Sequence, residues 1–258
     1  FDHHGVINFK NPSHNFKAGA DFTLNKRTTI GAMVNGTLAT QDINNYSLTH
    51  ISYIPTKQPD RILEANNTSS GRRDNINTNL NFRYADSSGR ELNIDGDYGW
   101  YRIKTDQWQP NIYYDPSFTN ELTRRIYNMI APTDIDIYSL KADYEQNFKK
   151  GRLGFGGKTS FVESNNDFQR YDVFTSAKRL DTLRSNDFLY KENINAGYIN
   201  YNRQFKGFMI QAGVRVEHTH ATGRSTGYRH DANGYSQYDS TFTRDYTTWM
   251  YLGREPRE

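Results

Sequence analysis

The stretch Phe208-Met-Ile-Gln-Ala-Gly-Val-Arg-Val-Glu217 decides the fold class. Phe208, Ile210, Ala212, Val214 and Val216 alternate with Met209, Gln211, Gly213, Arg215 and Glu217. A period of two puts the apolar side chains on one side of an extended strand. The same pattern recurs along the chain. Phe16, Ala18, Ala20, Phe22 and Leu24 oppose Lys17, Gly19, Asp21 and Thr23, and Ile30, Ala32, Val34 and Leu38 follow. Ile76, Leu80, Phe82 and Tyr84 oppose Asn77, Asn79, Asn81 and Arg83; Leu92, Ile94, Gly96, Tyr98 and Trp100 oppose Glu91, Asn93, Asp95 and Asp97. Tyr138, Leu140, Ala142 and Tyr144, then Leu153, Phe155, Thr159 and Phe161, add two more sets. Asn193–Gln204 makes an eighth strand, with either face open to being the apolar one. Helical periodicity is scarce, and allows only a short turn near Asn120–Met129.

Composition narrows the class. The chain has 258 residues, 35% hydrophobic and 14% aromatic, with 19 Tyr, a net charge of +3 and no cysteine. That aromatic content excludes an ordinary disordered chain. Without cysteine there are no disulfides, thiolate metal sites or cysteine nucleophiles. The charges are too evenly mixed for a nucleic-acid footprint, so no nucleic-acid partner is expected. The longest unbroken apolar run, Trp249–Leu252, is far below the roughly 20 residues of a membrane-spanning helix.

The connections sort into two kinds. Short polar turns are expected at Asn25–Arg27, Asp86–Gly89, Lys149–Gly151 and Phe205–Gly207, where Gly, Asn, Asp and Lys suit hairpins. Between the hairpins lie segments expected to be long loops: Ala39–Asp74, Thr105–Thr133, Ser164–Glu192, and everything from Thr222 onward. A short-turn side and a long-loop side is the pattern of transmembrane β-barrels. The alternating stretches cover about 9–13 residues, against about 5–6 in a soluble strand. Eleven residues at about 3.3 Å each, tilted near 40°, rise roughly 28 Å, the height of an outer-membrane apolar band. A β-sandwich alternates too, so the period alone leaves both architectures open.

Leu180-Asp-Thr-Leu-Arg-Ser-Asn-Asp-Phe-Leu-Tyr-Lys-Glu-Asn-Ile-Asn, running into Tyr198-Ile-Asn-Tyr-Asn-Arg-Gln-Phe, resembles the outer-membrane β-barrel family of Bacteroidota, which is related to TonB-dependent receptors. Ile94-Asp-Gly-Asp-Tyr, Ala131-Pro-Thr-Asp-Ile-Asp-Ile-Tyr-Ser-Leu-Lys-Ala-Asp-Tyr, Gly154-Phe-Gly-Gly-Lys-Thr-Ser-Phe and Gly213-Val-Arg-Val-Glu agree with it. The likeness runs from about Asn15 to Tyr246. It implies an all-β transmembrane antiparallel barrel, a meander of long hairpins, present here as a partial barrel. On this reading residues 1–258 are one outer-membrane β-barrel segment, with clear strands over about 14–221 and an atypical end at 248–258. There the family's Leu-Phe-Pro-Ser-like phrase is replaced by Thr248-Trp-Met-Tyr-Leu-Gly-Arg-Glu-Pro-Arg-Glu, which is given no functional role. The resemblance also implies a carboxypeptidase-regulatory-like domain and a plug ahead of the barrel, neither visible in this segment. Eight or nine strands would form an arc of the roughly 22-stranded barrels that hold a plug.

Motifs with chemistry are few. Gly151-Arg-Leu-Gly-Phe-Gly-Gly-Lys-Thr looks like a phosphate loop, but Arg152 stands where the first glycine is required, and the stretch opens a strand. His218 and His220 share a strand face with His230 nearby, and His3 and His4 adjoin Asp2; exposed histidines without a third ligand are the plainer reading, so no metal site is expected. No nucleophile elbow, paired-carboxylate motif or zinc-protease helix occurs. No catalytic residue and no cofactor are therefore expected, and the chain does not read as an enzyme. Tyr98, Trp100, Tyr101, Tyr138, Tyr144 and Tyr198 suit an interfacial aromatic girdle. Trp108, Tyr113, Tyr114 and Phe118, beside Asp106, Asp115 and Glu121, are the candidate solute contacts, although a loop packing its own aromatics is the blander account.

The resulting expectation is part of an outer-membrane, TonB-dependent-receptor-like barrel that binds and takes up a scarce solute of siderophore, vitamin or glycan type. Its partners would be outer-membrane lipid, the solute, and, in a full-length protein, its own plug domain and a TonB-type energiser. Two alternatives stand beside it. One is a small self-contained barrel acting as anchor or adhesin, which the absence of a leader and the partial segment Val6–Phe9 count against. The other is a secreted soluble β-sandwich that binds carbohydrate.

Overall fold

The computed structural model describes residues 2–232 and 234–253. They form β1 (Asp2–Lys10), β2 (Ser13–Asn25), β3 (Thr28–Ser52), β4 (Pro59–Ala85), β5 (Glu91–Tyr114), β6 (Glu121–Phe148), β7 (Gly151–Val173), β8 (Lys178–Leu180), β9 (Asn186–Gln204), β10 (Met209–Asp231) and β11 (Gly234–Gly253). The only helical element among the described residues is a single 3-10 turn, Thr182–Arg184. Asn120–Met129, which allowed a helical turn, opens β6 instead. Arg125 and Tyr127 alternate there with Ile126 and Asn128, and from Ile126 onward the register is fixed on both sides by β5 and β7.

All strands join one antiparallel sheet in the order β1-β3-β4-β5-β6-β7-β9-β10-β11, with β2 also on β3 and β8 on β7. β1 and β2 are one strand in two pieces. Lys10 lies opposite Asp42 and Ser13 opposite Ala39, so the register runs unbroken across Asn11-Pro12. Pro12 has no amide hydrogen to give the ladder, but its carbonyl still accepts from the Thr40 amide at 3.1 Å. The missing bond falls on the β3 side, which is where the strand is interrupted between β1 and β2. The far edge, β11, has no partner beyond β10 among the described residues, and the sheet is open.

The hairpins at one end are tight, as expected. Lys26-Arg27, Asp86–Arg90, Lys149-Lys150 and Phe205–Phe208 link β2–β3, β4–β5, β6–β7 and β9–β10. Lys149 and Lys150 both have positive φ, 46° and 62°, the geometry of a two-residue turn that Asn-Gly would adopt with less strain. At the other end the expected long loops are absent. Ala39–Asp74 is mostly the continuation of β3 and β4, joined by Tyr53–Gln58, and Thr105–Thr133 is β5 and β6, joined by Asp115–Asn120. Within Ser164–Glu192 the connection shrinks to Phe174–Ser185, and beyond Thr222 β10 and β11 stay paired up to Asp231 and Gly234. The strands therefore run 23 to 28 residues from β3 to β7, twice the expected length.

The chain builds almost no core. Among the described residues Ile62, Ala65 and Ala221 are the buried apolar ones, and no large side chain is fully buried. Leu80, Leu140 and Ile199 are 67%, 53% and 51% exposed in mid-strand. A sandwich would bury this face against a second sheet. Here there is one sheet rather than the two of the soluble-sandwich alternative, and nothing among the described residues covers its apolar face. A continuous apolar face of this kind needs another solvent, and hydrocarbon is the one that fits.

Candidate functional site

Cross-strand register defines the two faces. Residues directly opposite one another share a face, so Ala20, Ala32, Leu80, Gly96, Leu140 and Thr159 stand side by side. The apolar run on this face ends at a clear boundary on each strand: Ile76 precedes Asp74, Trp100 precedes Arg102, Phe161 precedes Glu163, Val216 precedes His218 and Trp249 precedes Thr247. The boundary is not perpendicular to the strands. From Trp100 the register passes through Asp136, Glu163, Lys191 and Thr222 to Thr243, whereas the boundary on β11 is Trp249, six positions along the strand. Six residues at about 3.3 Å against five strand spacings of about 4.8 Å gives a slope near 40°. A horizontal membrane surface crosses a sheet of tilted strands along such a diagonal, and strands of outer-membrane barrels tilt about 35–45°. The slanted boundary is thus the trace of a membrane plane.

Aromatic rings gather at that boundary. Tyr98 and Tyr138 stack with centroids 4.9 Å apart, Phe161 lies 6.5 Å from Tyr138, and the Arg102 guanidinium sits 4.9 Å over Trp100. Nearer the tight turns Tyr144 meets Phe155 at 5.1 Å. Four of the six expected girdle residues therefore face the band. Tyr101 and Tyr198 do not: register places them on the opposite face, where Tyr101 donates to Asn77 Oδ1 at 2.7 Å and Tyr198 donates to Asp143.

That opposite face is polar. Asn79 donates to Asp97 at 2.7 Å, Ser139 to the same carboxylate at 3.0 Å, and Asn81 to Asn79 at 3.1 Å. Arg152 bridges Glu91 at 3.0 Å and Glu145 at 2.5 Å. Tyr198 crosses from β9 above Gly156, where a Cβ would lie 2.8 Å from its ring and 2.6 Å from the Ala142 carbonyl. The glycines that suggested a phosphate loop lie in β7 and serve close approach of neighbouring strands.

The structure separates the candidate solute contacts. Trp108, Tyr113 and Tyr114 lie on β5 rather than in a loop, and Phe118 lies in the Asp115–Asn120 connection with φ 58°. Tyr114 and Phe118 are in ring contact, centroids 4.5 Å apart. Trp108 stands six positions down the strand from Tyr114, about 20 Å away. It borders a groove of about 640 Å³ with Lys10, Asp42, Thr68, Ser70 and Asp106. Trp108 and Tyr114 share the face of the apolar band, above its boundary, and Tyr113 points to the polar side. Burial and the adjacent Glu64 carboxylate push the Tyr114 phenol up. Asp115 anchors the connection: its carboxylate accepts from the Thr119 amide at 2.8 Å and the Asn120 side chain at 2.8 Å. These bonds, the Asn120 side chain foremost, hold its carboxyl well below the usual range.

His218 and His220 share one carboxylate, Asp245, at 3.4 and 2.9 Å. Periodicity identified the two imidazoles as neighbours; only the β10–β11 register brings in Asp245. Among the described residues no three His, Asp or Glu are placed to hold a metal ion. The end at 248–258 divides: residues 248–253 belong to β11, and 254–258 lie outside the described residues.

With this geometry in place, comparison with known proteins gives the family. Its model, "Outer membrane protein beta-barrel family", matches residues 83–250, from late β4 to late β11. The chain belongs to this family. Its members are proteins of the cell outer membrane, and the exposed band, the girdle and the 40° boundary give the membership its physical basis here. No curated protein sequence matches the chain. Among solved structures it is similar to the unliganded ferric citrate transporter FecA, with TM-score 0.40 and 14% identity over 97% of this chain and 42% of that one. It is also similar to the ferric yersiniabactin uptake receptor FyuA from Yersinia pestis, with TM-score 0.36 and 11% identity over 94% of this chain and 44% of that one. The outer membrane protease OmpT from Escherichia coli matches at TM-score 0.28 and 10% identity, over 96% and 94% of the two chains. The chain thus spans less than half the length of the two receptors.

Proposed function

We propose that this chain forms part of a TonB-dependent-receptor-type barrel that captures a scarce solute outside the cell and admits it across the outer membrane. The observation that carries the reading is the asymmetry of the sheet about its apolar band. On the tight-turn side the strands end close to the band. On the other side β3 continues from Leu38 to Ser52, and at about 3.3 Å per residue along a 40° tilt this lifts the hairpin roughly 35 Å beyond the boundary. A plain membrane anchor has no need of such projections, whereas a receptor uses them as a rigid collar round its mouth. Trp108, Tyr113, Tyr114 and Phe118 belong to that collar and are proposed as solute contacts, Tyr113 from the polar face and Trp108 and Tyr114 from the outer rim. The hydrogen-bonded polar face suits contact with a plug domain of the same protein. Energy for release would come from a TonB-type partner reached from the tight-turn side. The chain's role is binding and passage, without catalysis.

The test uses the full-length protein in its own outer membrane. Cells are supplied with trace labelled ferric siderophore, cobalamin or oligosaccharide. Uptake of one of them that needs this protein and stops when a protonophore collapses the inner-membrane gradient is expected. Passage that continues unchanged without the gradient would mean a passive pore or anchor and would overturn the reading.

A further inference from the structure

A groove of about 650 Å³ lies on the collar where the ends of β6 and β7 meet the Phe174–Ser185 connection. Its volume falls in the usual range for small-molecule sites. Arg124, Arg125, Arg170 and Arg184 line it together with Tyr127 and Phe174, against a single lining carboxylate, Asp172. Tyr127, Asp172 and Arg179 pair in register, and Arg125 and Arg170 stand at alternate positions beside them. All five side chains therefore project from the polar face of the sheet, toward the barrel mouth and away from lipid.

Two arginines are fixed in advance. Asp181, 9% exposed, accepts from Arg170 and, at 2.7 Å, from Arg184. Arg170, 13% exposed, also places its guanidinium over Tyr127, 4.0 Å from the ring centroid. Asp181 is itself held by backbone: its amide donates to the Arg170 carbonyl at 2.7 Å, and Ser185 Oγ donates to its carbonyl at 2.7 Å. Arg179 stacks on Phe174 at 5.2 Å. Arg125 has no carboxylate partner among the described residues. Counting Glu121, Asp172 and Asp181 against Arg124, Arg125, Arg170, Arg179 and Arg184, five cations meet three anions. The groove keeps an excess of two positive charges, close to the +3 of the entire chain.

A pre-set fork of guanidinium groups on aromatic faces is chemistry for oxyanions. Guanidinium pairs bind carboxylate and phosphate oxygens bidentately, and ordering them beforehand removes an entropic cost of binding. We propose that this groove recognises an anionic solute carrying carboxylate or phosphate groups, with Arg125 and Arg184 making direct contact and Arg170 positioned by Asp181. The proposal deepens the receptor reading by naming its solute class, and rests on that reading for the solute's onward passage.

The full-length protein is placed in zwitterionic phosphatidylcholine nanodiscs, and equilibrium binding is measured for oligogalacturonate, a neutral galactose oligomer of equal length, citrate and inorganic phosphate. Binding of at least one anion that weakens as salt rises, with the neutral oligomer excluded, is expected. R125Q and R184Q should each weaken it about tenfold. R102Q, on the opposite face, should leave it unchanged. Arg170→Gln would strand Asp181 without its nearly buried partner and is unsuitable as the sole variant; Arg125 is exposed and unpaired, so R125Q keeps the fold. Equal binding of the neutral oligomer, or wild-type affinity in both R125Q and R184Q, overturns the proposal, as does anion binding seen only after lipopolysaccharide is added to the discs. The preference between the oligouronate or citrate and inorganic phosphate assigns the oxyanion. Anion binding in discs without energised uptake in cells would sink the transport reading and leave the groove standing; uptake insensitive to both variants would do the reverse.

Discussion

Adjacent residues on one strand meet different solvents. Leu140 projects into the apolar band and is 53% exposed, while Ser139 turns to the polar face and donates to Asp97. Leu140→Arg should cost about 2–4 kcal/mol of folding stability in a bilayer, as expected for a cation near the midplane of a barrel's lipid face. Ser139→Arg, beside the Asp97 carboxylate, should cost far less. Equilibrium unfolding by urea in lipid vesicles measures both, and equal losses would refute the face assignment. At the Lys149-Lys150 turn, two side chains occupy the left-handed region that glycine enters freely. Lys150→Gly should stabilise the β6–β7 hairpin by about 1 kcal/mol, read from the same curves. Asp115 gives a pH dependence. Its carboxyl is depressed in the folded hairpin, so its contribution is complete above the unfolded value near 3.9 and disappears as pH falls through the lower folded value. Hydrogen exchange at the Thr119 and Asn120 amides should therefore stay slow relative to its intrinsic rate down to about pH 4 and then accelerate, a transition that Asp115→Ala should abolish.

At the level of the element, the extended hairpins replace what reads as loop. Alternation reveals a strand only where its two faces meet different surroundings. Within the band, Leu92, Ile94 and Tyr98 contrast with Asn93, Asp95 and Asp97, so those segments were legible. Beyond the band both faces meet water, and Asn44-Asn45 or Thr68-Ser69-Ser70 lose the contrast although the hydrogen-bond ladder continues through them. The tight turns were legible because turn chemistry is local. The arginine groove was not: Arg125, Arg170 and Arg184 lie scattered along the chain, and only strand register gathers them. The aromatic set Trp108, Tyr113, Tyr114 and Phe118 was visible as a sequence cluster, yet pleating sends Tyr113 to the face opposite its neighbours. A protease added to intact cells gives a direct check. Cleavage should be confined to the Tyr53–Gln58 connection of the β3–β4 hairpin, with Ala39–Ser52 and Pro59–Asp74 resistant; cutting throughout Ala39–Asp74 would restore the loop picture.

For the whole molecule, the slanted boundary makes a prediction about depth. Trp100 and Trp249 sit at the top of the band on β5 and β11 although register offsets them by six residues. Single-tryptophan variants probed with lipids brominated at successive positions should place both at one depth near the outer interface, and Trp108, higher on β5, beyond reach of the quencher. If the strands stood upright, Trp249 would lie about 20 Å nearer the tight-turn side than Trp100.

The edges at β1–β2 and β11, without a further partner among the described residues, bear on assembly. Hydrocarbon leaves bare amides and carbonyls no water to turn to, so each edge demands a neighbouring strand before the sheet can rest in a bilayer. Until one arrives, the edge acts as a template that accepts any extended backbone, including the opposite edge of another molecule. Synthesised without companion strands, these residues would zip to one another in a concentration-dependent polymer, and Pro12 would not interrupt that seam, because the side of its backbone that lacks a hydrogen faces Thr40 of β3.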